Sequence, residues 1–164
     1  MNYIDLHTHS NCSDGSMTPT ELVAHAAERG LKAIALSDHD TVSGIDEALE
    51  AGVRYGVEVV PAIEFSVQSK TETHILGYYI DHKSPVLKEA LEKIYEVRYK
   101  RTVNTCNNLR ALGFDVTMEE ALEIASSGIV GRAHFARILA EKGYVKSVKE
   151  AFDKYLGADK IAYD

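Results

Sequence analysis

Apolar and polar positions alternate in two rhythms over the first eighty residues. Ile4 and Leu6 flank Asp5 with period two, the pattern of a short strand, and residues two apart on a strand share a face. His7 and His9 therefore leave its far end side by side. Thr18-Pro19-Thr20-Glu21 combines an N-cap hydroxyl, a proline at the first helical position and a glutamate at the third. It opens a helix that carries Leu22, Val23, Ala26 and Ala27 on one face and stops at Gly30. Lys32 to Leu36 reads as a buried strand that ends in Ser37-Asp38-His39-Asp40. Ser43 is the expected N-cap of a second helix, with Ile45, Ala48, Leu49 and Val53 on its apolar side and a stop near Gly56. Val57 to Ala62 is a third strand running into Ile63-Glu64-Phe65-Ser66. Thr73 to Ile80 is a fourth, with His74 near its beginning.

From Ser84 the rhythm becomes helical throughout. Leu87, Leu91, Ile94, Val97, Cys106, Leu109 and Leu112 fall on roughly one face of a helix from Pro85 to about Leu112, closed by Gly113. Unbroken, it would be about 40 Å long, too long for a simple crossover. Three shorter helices follow: one capped by Thr117-Met118-Glu119-Glu120, one from Gly131 to Lys142, and one capped by Ser147-Val148-Lys149-Glu150 that ends near Gly157. Strand, helix, strand, helix, strand is the order of a parallel α/β sheet or barrel. The expected organisation is an α/β part over residues 1–82 and a helical part over 83–164. Such α/β folds place chemistry at the carboxyl ends of their strands, where His7, His9, His39 and Glu64 all fall. His74, at the start of its strand, does not obey that rule.

Composition narrows the class. The chain has 164 residues, enough for one sizeable core and a small appendage. Its net charge of −7 argues against a general nucleic-acid coat, because nonspecific affinity comes from neutralising phosphates with Lys and Arg. Two cysteines, Cys12 and Cys106, without a CxxC spacing, suit a reduced compartment. No apolar run approaches ~18 residues and no basic segment leads into an apolar stretch at the N-terminus. The expectation is a soluble, cytoplasmic protein without a membrane partner.

His7, His9, Asp14, His39, Glu64 and His74 together offer six ligands of mixed imidazole and carboxylate type. That mixture suits Zn²⁺, Mn²⁺ or Fe²⁺ and is poor for Ca²⁺ or Mg²⁺, which prefer oxygen. Six ligands exceed the needs of one ion, and a carboxylate such as Glu64 can bridge two. Blander readings stand beside this one. His74 on a strand equally suits a core histidine, and Asp14 in Ser-Asp-Gly-Ser suits a turn. Asp38 and Asp40 read as supporting or capping groups, His25 and His82 as surface histidines, and Cys12 as a small packing residue.

The segments Asp5-Leu6-His7-Thr8-His9-Ser10, Ser13-Asp14-Gly15, Ser37-Asp38-His39-Asp40, Ile63-Glu64-Phe65-Ser66 and His74-Ile75-Leu76-Gly77-Tyr78 resemble, in order, the motifs of the PHP superfamily, named for polymerase and histidinol phosphatase. The stand-alone metal-dependent phosphoesterases of that group are the nearest in pattern, and Gly131-Arg132-Ala133-His134 resembles their Gly-Arg-Pro-His. The resemblance implies part of a distorted (β/α) barrel with a helical insertion. It also implies two or three divalent transition metal ions held by His7, His9, Asp14, His39, Glu64 and His74. Family members continue through further strands that supply a Ser-His-Pro histidine and a late Asp-x-His pair. These C-terminal strands are absent here, and Ala158 to Asp164 reads as the exit from the insertion. The expectation is a fragment of a longer enzyme or a degenerate relative with an incomplete site.

The function implied is hydrolysis of a phosphate ester by a metal-activated hydroxide, the substrate being a small molecule, a nucleotide or a short oligonucleotide. Arg132 and His134, at the start of one helix, and Arg98 and Arg101, three apart on the long one, are the expected substrate contacts, since a helix N-terminus with an arginine nearby suits phosphate. For Arg98 and Arg101 a solvated charged face is an equal alternative. Two rivals are a metal-dependent amide hydrolase and a non-catalytic scaffold kept for a partner.

Overall fold

A computed structural model describes residues 3–67, 73–125, 130–158 and 160–162. The chain forms two compact units, residues 1–93 and 94–164, and each has its own core.

In the first unit, β1 (Tyr3–Thr8), α1 (Pro19–Glu28), β2 (Leu31–Leu36), α2 (Ile45–Tyr55), β3 (Glu58–Val67) and β4 (Thr73–Tyr78) follow one another. The four strands make one sheet in sequence order. β1, β2 and β3 run parallel, each pair joined by a helix, as βαβ units require. β4 turns back antiparallel to β3, with Ser66 opposite His74 and Glu64 opposite Leu76. This resolves the anomaly of His74. The start of an antiparallel strand lies at the same end of the sheet as the finish of its parallel neighbours, so His74 joins the carboxyl ends of β1 to β3. The sheet is curled into a half-barrel, and the Tyr78 hydroxyl donates to the carbonyl of Leu6, bringing the two edge strands within one hydrogen bond of 2.9 Å.

The helices cover one side of the sheet. Val23 and Ala26 of α1 and Ile45, Ala48 and Ala51 of α2 bury against Ile34, Leu36, Val57 and Val59. α1 begins with the expected capping box: the Thr18 side chain accepts from Glu21 N, and the Glu21 carboxylate accepts from Thr18 N. The start of α2 differs from expectation. Its N-cap is Gly44, with no side-chain bond, while Ser43 N and the hydroxyls of Ser43 and Thr41 bond to each other. Gly44 is needed because a Cβ there would lie 2.9 Å from Pro19 and 3.0 Å from the sulfur of Cys12. Cys12 is thus a packing residue.

The second unit is helical. Most of α3 (Pro85–Ala111) belongs to it, with α4 (Met118–Ile124), α5 (Arg132–Glu141), α6 (Val148–Ala151) and a π turn (Phe152–Leu156). Cys106, Leu109, Val116, Phe135, Ile138, Leu139 and Leu156 form its core. Thr117 and Ser147 cap α4 and α6 as expected, and Gly113 ends α3 with a φ of +89°. Of the expected exit segment, Asp159, Tyr163 and Asp164 lie outside the described residues. Among the described residues no helix is long and apolar enough to cross a membrane.

Candidate metal centre

Glu64 is the hub of the sheet's carboxyl end. It lies inside β3, not after it, and is 4% exposed. Four imidazoles surround its carboxylate. His7 Nε2, His9 Nε2 and His39 Nδ1 lie 2.9, 3.1 and 3.5 Å from Oε2, and His74 Nδ1 lies 2.7 Å from Oε1. Asp14 closes the far side, 3.8 Å from His9 Nδ1 and 3.8 Å from His39 Nε2. The rings pack on one another: His9 and His39 stack at 4.6 Å, and His74 meets His39 edge-on at 4.9 Å. All six sequence-derived candidates therefore converge. Among the described residues, three groups have ligand atoms mutually close enough for one ion: His7, His9 and Glu64; His9, Asp14 and His39; and His39, Glu64 and His74.

The backbone explains the convergence. His7 lies in β1 and His9 just beyond it. His39 is bridged to Glu64 as a one-residue parallel ladder, in which Glu64 N donates to Asp38 O and Asp40 N to Glu64 O. Asp40 holds a left-handed φ of 52°, and its carboxylate accepts from Ser66 N. The loop carrying Asp14 is fixed by Asp38, 2% exposed, whose carboxylate accepts from Ser10 N, Ser10 Oγ and Ser13 Oγ at 2.6–2.7 Å. Ser10 and Ser13 are the supporting residues that the sequence reading missed. The signal was present in the two acids flanking His39, each of which needs donors once buried. Gly15 completes the loop. A Cβ there would collide with the carbonyl oxygen of His9 and lie 2.7 and 2.8 Å from the carbonyl carbons of His9 and Ser10.

Electrostatics follow from the same contacts. Burial opposes ionisation of Glu64, but the hydrogen bond with His7, the charge of His39 and the hydrogen bond with His74 outweigh it and hold the carboxyl below its ordinary range. For Asp38 burial wins over the Ser10 and Ser13 hydrogen bonds, and its carboxyl is raised.

The donor set fits transition metals. Two ligands of one ion at ~2.0–2.2 Å lie on the order of 3.0–3.5 Å apart at tetrahedral or octahedral angles, and the distances between these nitrogens and oxygens, 2.7–3.8 Å, bracket that range. His9 Nδ1 is buried without a hydrogen-bond partner among the described residues. A buried imidazole nitrogen left without a partner 3.8 Å from a carboxylate oxygen is costly, and a cation between the two would engage both.

Residues 5–160 match the PHP domain model. The chain belongs to the PHP family. It is similar to a 5'-3' exoribonuclease of Haemophilus influenzae, 39% identical over 97% of this chain and 58% of that protein. It is also similar to a 3',5'-nucleoside bisphosphate phosphatase of Chromobacterium violaceum, 38% identical over 98% of this chain and 57% of that one. A solved structure described as an amidohydrolase from the same species, with bound sulfate and no metal, superposes with a TM-score of 0.92 at 37% identity over 98% of this chain and 57% of that one. The PHP chain thus spans a little over half the length of these relatives. Phosphoesterases of the family are metal-dependent hydrolases.

The expected substrate contacts lie in the second unit. His134 is 1% exposed, and its Nδ1 accepts from Gly131 N at 2.9 Å, so the ring closes the start of its own helix. Arg132 Nη1 donates to Leu156 O, and the guanidinium lies 5.7 Å over the Phe152 ring. Arg98 packs against Gly131: its Nη2 is 3.3 Å from where a Cβ would stand. Arg101 is exposed on α3.

Proposed function

We propose that this chain forms the metal-binding core of a hydrolase acting on nucleotide-class phosphate esters, a mononucleotide or a short oligonucleotide. The carrying observation is Glu64, a buried carboxylate with both oxygens engaged by imidazoles from three other elements of the sheet end. His7 and His9 with Glu64 would hold one ion and His39 and His74 with Glu64 a second, Asp14 supplementing them. When bound, a pair of Zn²⁺, Mn²⁺ or Fe²⁺ ions supplies activated water and neutralises charge on phosphoryl oxygens. The chain's own residues do the rest. Asp38 and Asp40 hold the histidine loop, Glu64 keeps its negative charge at neutral pH, and the stacked His9 and His39 keep the site rigid. His134 fixes the start of α5, so that Arg132 is presented in one orientation. Arg132, Arg98 and Arg101 are the proposed phosphate contacts. The nucleotide class is favoured over other esters because the two named relatives carry nucleotide or RNA substrates in their names.

The test is calorimetric titration of Zn²⁺ and Mn²⁺ into the chain and its Glu64→Gln variant, with hydrolysis of a nucleoside 3',5'-bisphosphate and of a simple N-acyl amide followed in parallel. The proposal expects stoichiometric metal, at least tenfold weaker binding in the variant, and release of phosphate. Amide cleavage without phosphate release would replace it with the amide hydrolase, and no metal uptake would leave the scaffold.

A further inference from the structure

α3 carries a surface that the metal centre does not explain. Within the second unit its core-facing stripe includes Thr102, Thr105, Cys106 and Leu109, all buried. Counted back by seven, the same stripe passes through Tyr95 and Tyr99. These two are 42% and 45% exposed, and their rings lie 6.3 Å apart at 30°, loosely stacked on each other. An amphipathic stripe that leaves its core and continues as two half-exposed aromatic rings is a ledge, not packing. Its flank is cationic. From residue 94 to 111 the helix has four basic residues, Arg98, Lys100, Arg101 and Arg110, against one acid, Glu96, in a chain of net charge −7. Arg98 stands between the two tyrosines in sequence and rests against Gly131. That contact is held in place by Thr102, whose hydroxyl donates to Val130 O.

Two phenol rings tilted by 30°, with an arginine between them in sequence, match one ligand chemistry well: a planar base bearing a phosphate. Every nucleobase has a π face for a tyrosine, whatever its sequence, and the phosphate meets the positive helix. We propose that Tyr95 and Tyr99 form a nucleobase-stacking ledge, with Arg98 receiving the adjoining phosphate, so that the second unit selects nucleotides over phosphate esters lacking a base. This deepens the nucleotide reading above and rests on it for the substrate class. The ledge itself uses no residue of the metal centre.

The probe is a dinucleotide containing 2-aminopurine, titrated into the whole chain in the presence of a chelator, so that metal takes no part. An abasic dinucleotide serves as competitor. Stacking quenches the fluorophore, and the double variant Tyr95→Ala/Tyr99→Ala should weaken binding roughly tenfold or more. Tyr95→Phe/Tyr99→Phe, which keeps the rings, should retain it, and the abasic competitor should be at least tenfold poorer. Both tyrosines are exposed, and circular dichroism checks whether the variants keep their helices. Equal affinity for abasic and base-bearing probes, or unchanged affinity in the alanine variant, overturns the ledge. So does a change of oligomeric state in the alanine variant without loss of nucleotide binding, which would make the rings a protein interface. Hydrolysis of a base-free ester such as glycerol phosphate by the metal-loaded chain reports on the metal centre separately.

Discussion

Gly15 is where a single atom decides the geometry of the centre. The loop from His9 to Asp14 closes on itself through Ser13 N and Gly15 N, both donating to Ser10 O, which brings the Gly15 Cα against the His9 carbonyl. Gly15→Ala cannot be accommodated by a flexible neighbour, since the colliding atoms are backbone. The loop must shift, and Asp14 moves away from His9 and His39. The expected outcome is a protein that keeps its secondary structure but loses metal affinity, about tenfold or more by the measure of a displaced ligand. Metal titration against a circular dichroism control checks it, and unchanged affinity would show that Asp14 is a turn residue after all. The six candidate ligands were legible in the sequence because four of them, His7, His9, His39 and Glu64, fall at the ends of strand-like runs and the motif pattern adds Asp14 and His74. Glu64 was already singled out as a carboxylate able to bridge two ions, but its place inside β3 and its pairing with His39 were not visible in the sequence.

At the scale of elements, the capping boxes were read from four-residue signatures, and two of them recur in the fold with both bonds made. Thr18→Ala and Thr117→Ala should each cost about 1 kcal/mol, measured by chemical denaturation. The α4 start has a further partner: Glu120 accepts from Thr117 N and pairs with Lys142. The hydrogen bond with Lys142 holds the Glu120 carboxyl below its ordinary value, so its contribution is present at neutral pH and is lost as pH falls through the acid range. Glu120→Gln at neutral pH should reproduce the acid effect on α4, read as loss of helical ellipticity, and should remove it from the pH titration. Other features were beyond the sequence. Period-two alternation says nothing of strand direction, so the antiparallel run of β4 was hidden and His74 looked misplaced. The Ser43 hydroxyl advertised a cap, but its bond with Thr41 and the crowding of Cys12 and Pro19 at Gly44 decided otherwise.

For the whole chain, two separate cores imply two separate responses. One lies on Val23, Ile34, Leu36 and Ile45, the other on Leu109, Phe135, Leu139 and Leu156, and the two clusters share no residue. The candidate metal ligands all belong to the first unit. A ligand that binds only the folded state adds RT ln(1 + [L]/Kd), about 2.7 kcal/mol at a hundredfold excess over Kd. That free energy reaches only the unit that must be folded to bind. Thermal unfolding should therefore resolve into two transitions, with Zn²⁺ or Mn²⁺ raising the one that reports the sheet and leaving the purely helical one in place. β-sheet and helix signals in the infrared amide band separate them. The variants sort the same way: Thr18→Ala should lower the metal-sensitive transition and Thr117→Ala the other. A single transition that moves as a whole with metal would mean that the two cores unfold as one, and the division at residues 93 and 94 would then have no thermodynamic content.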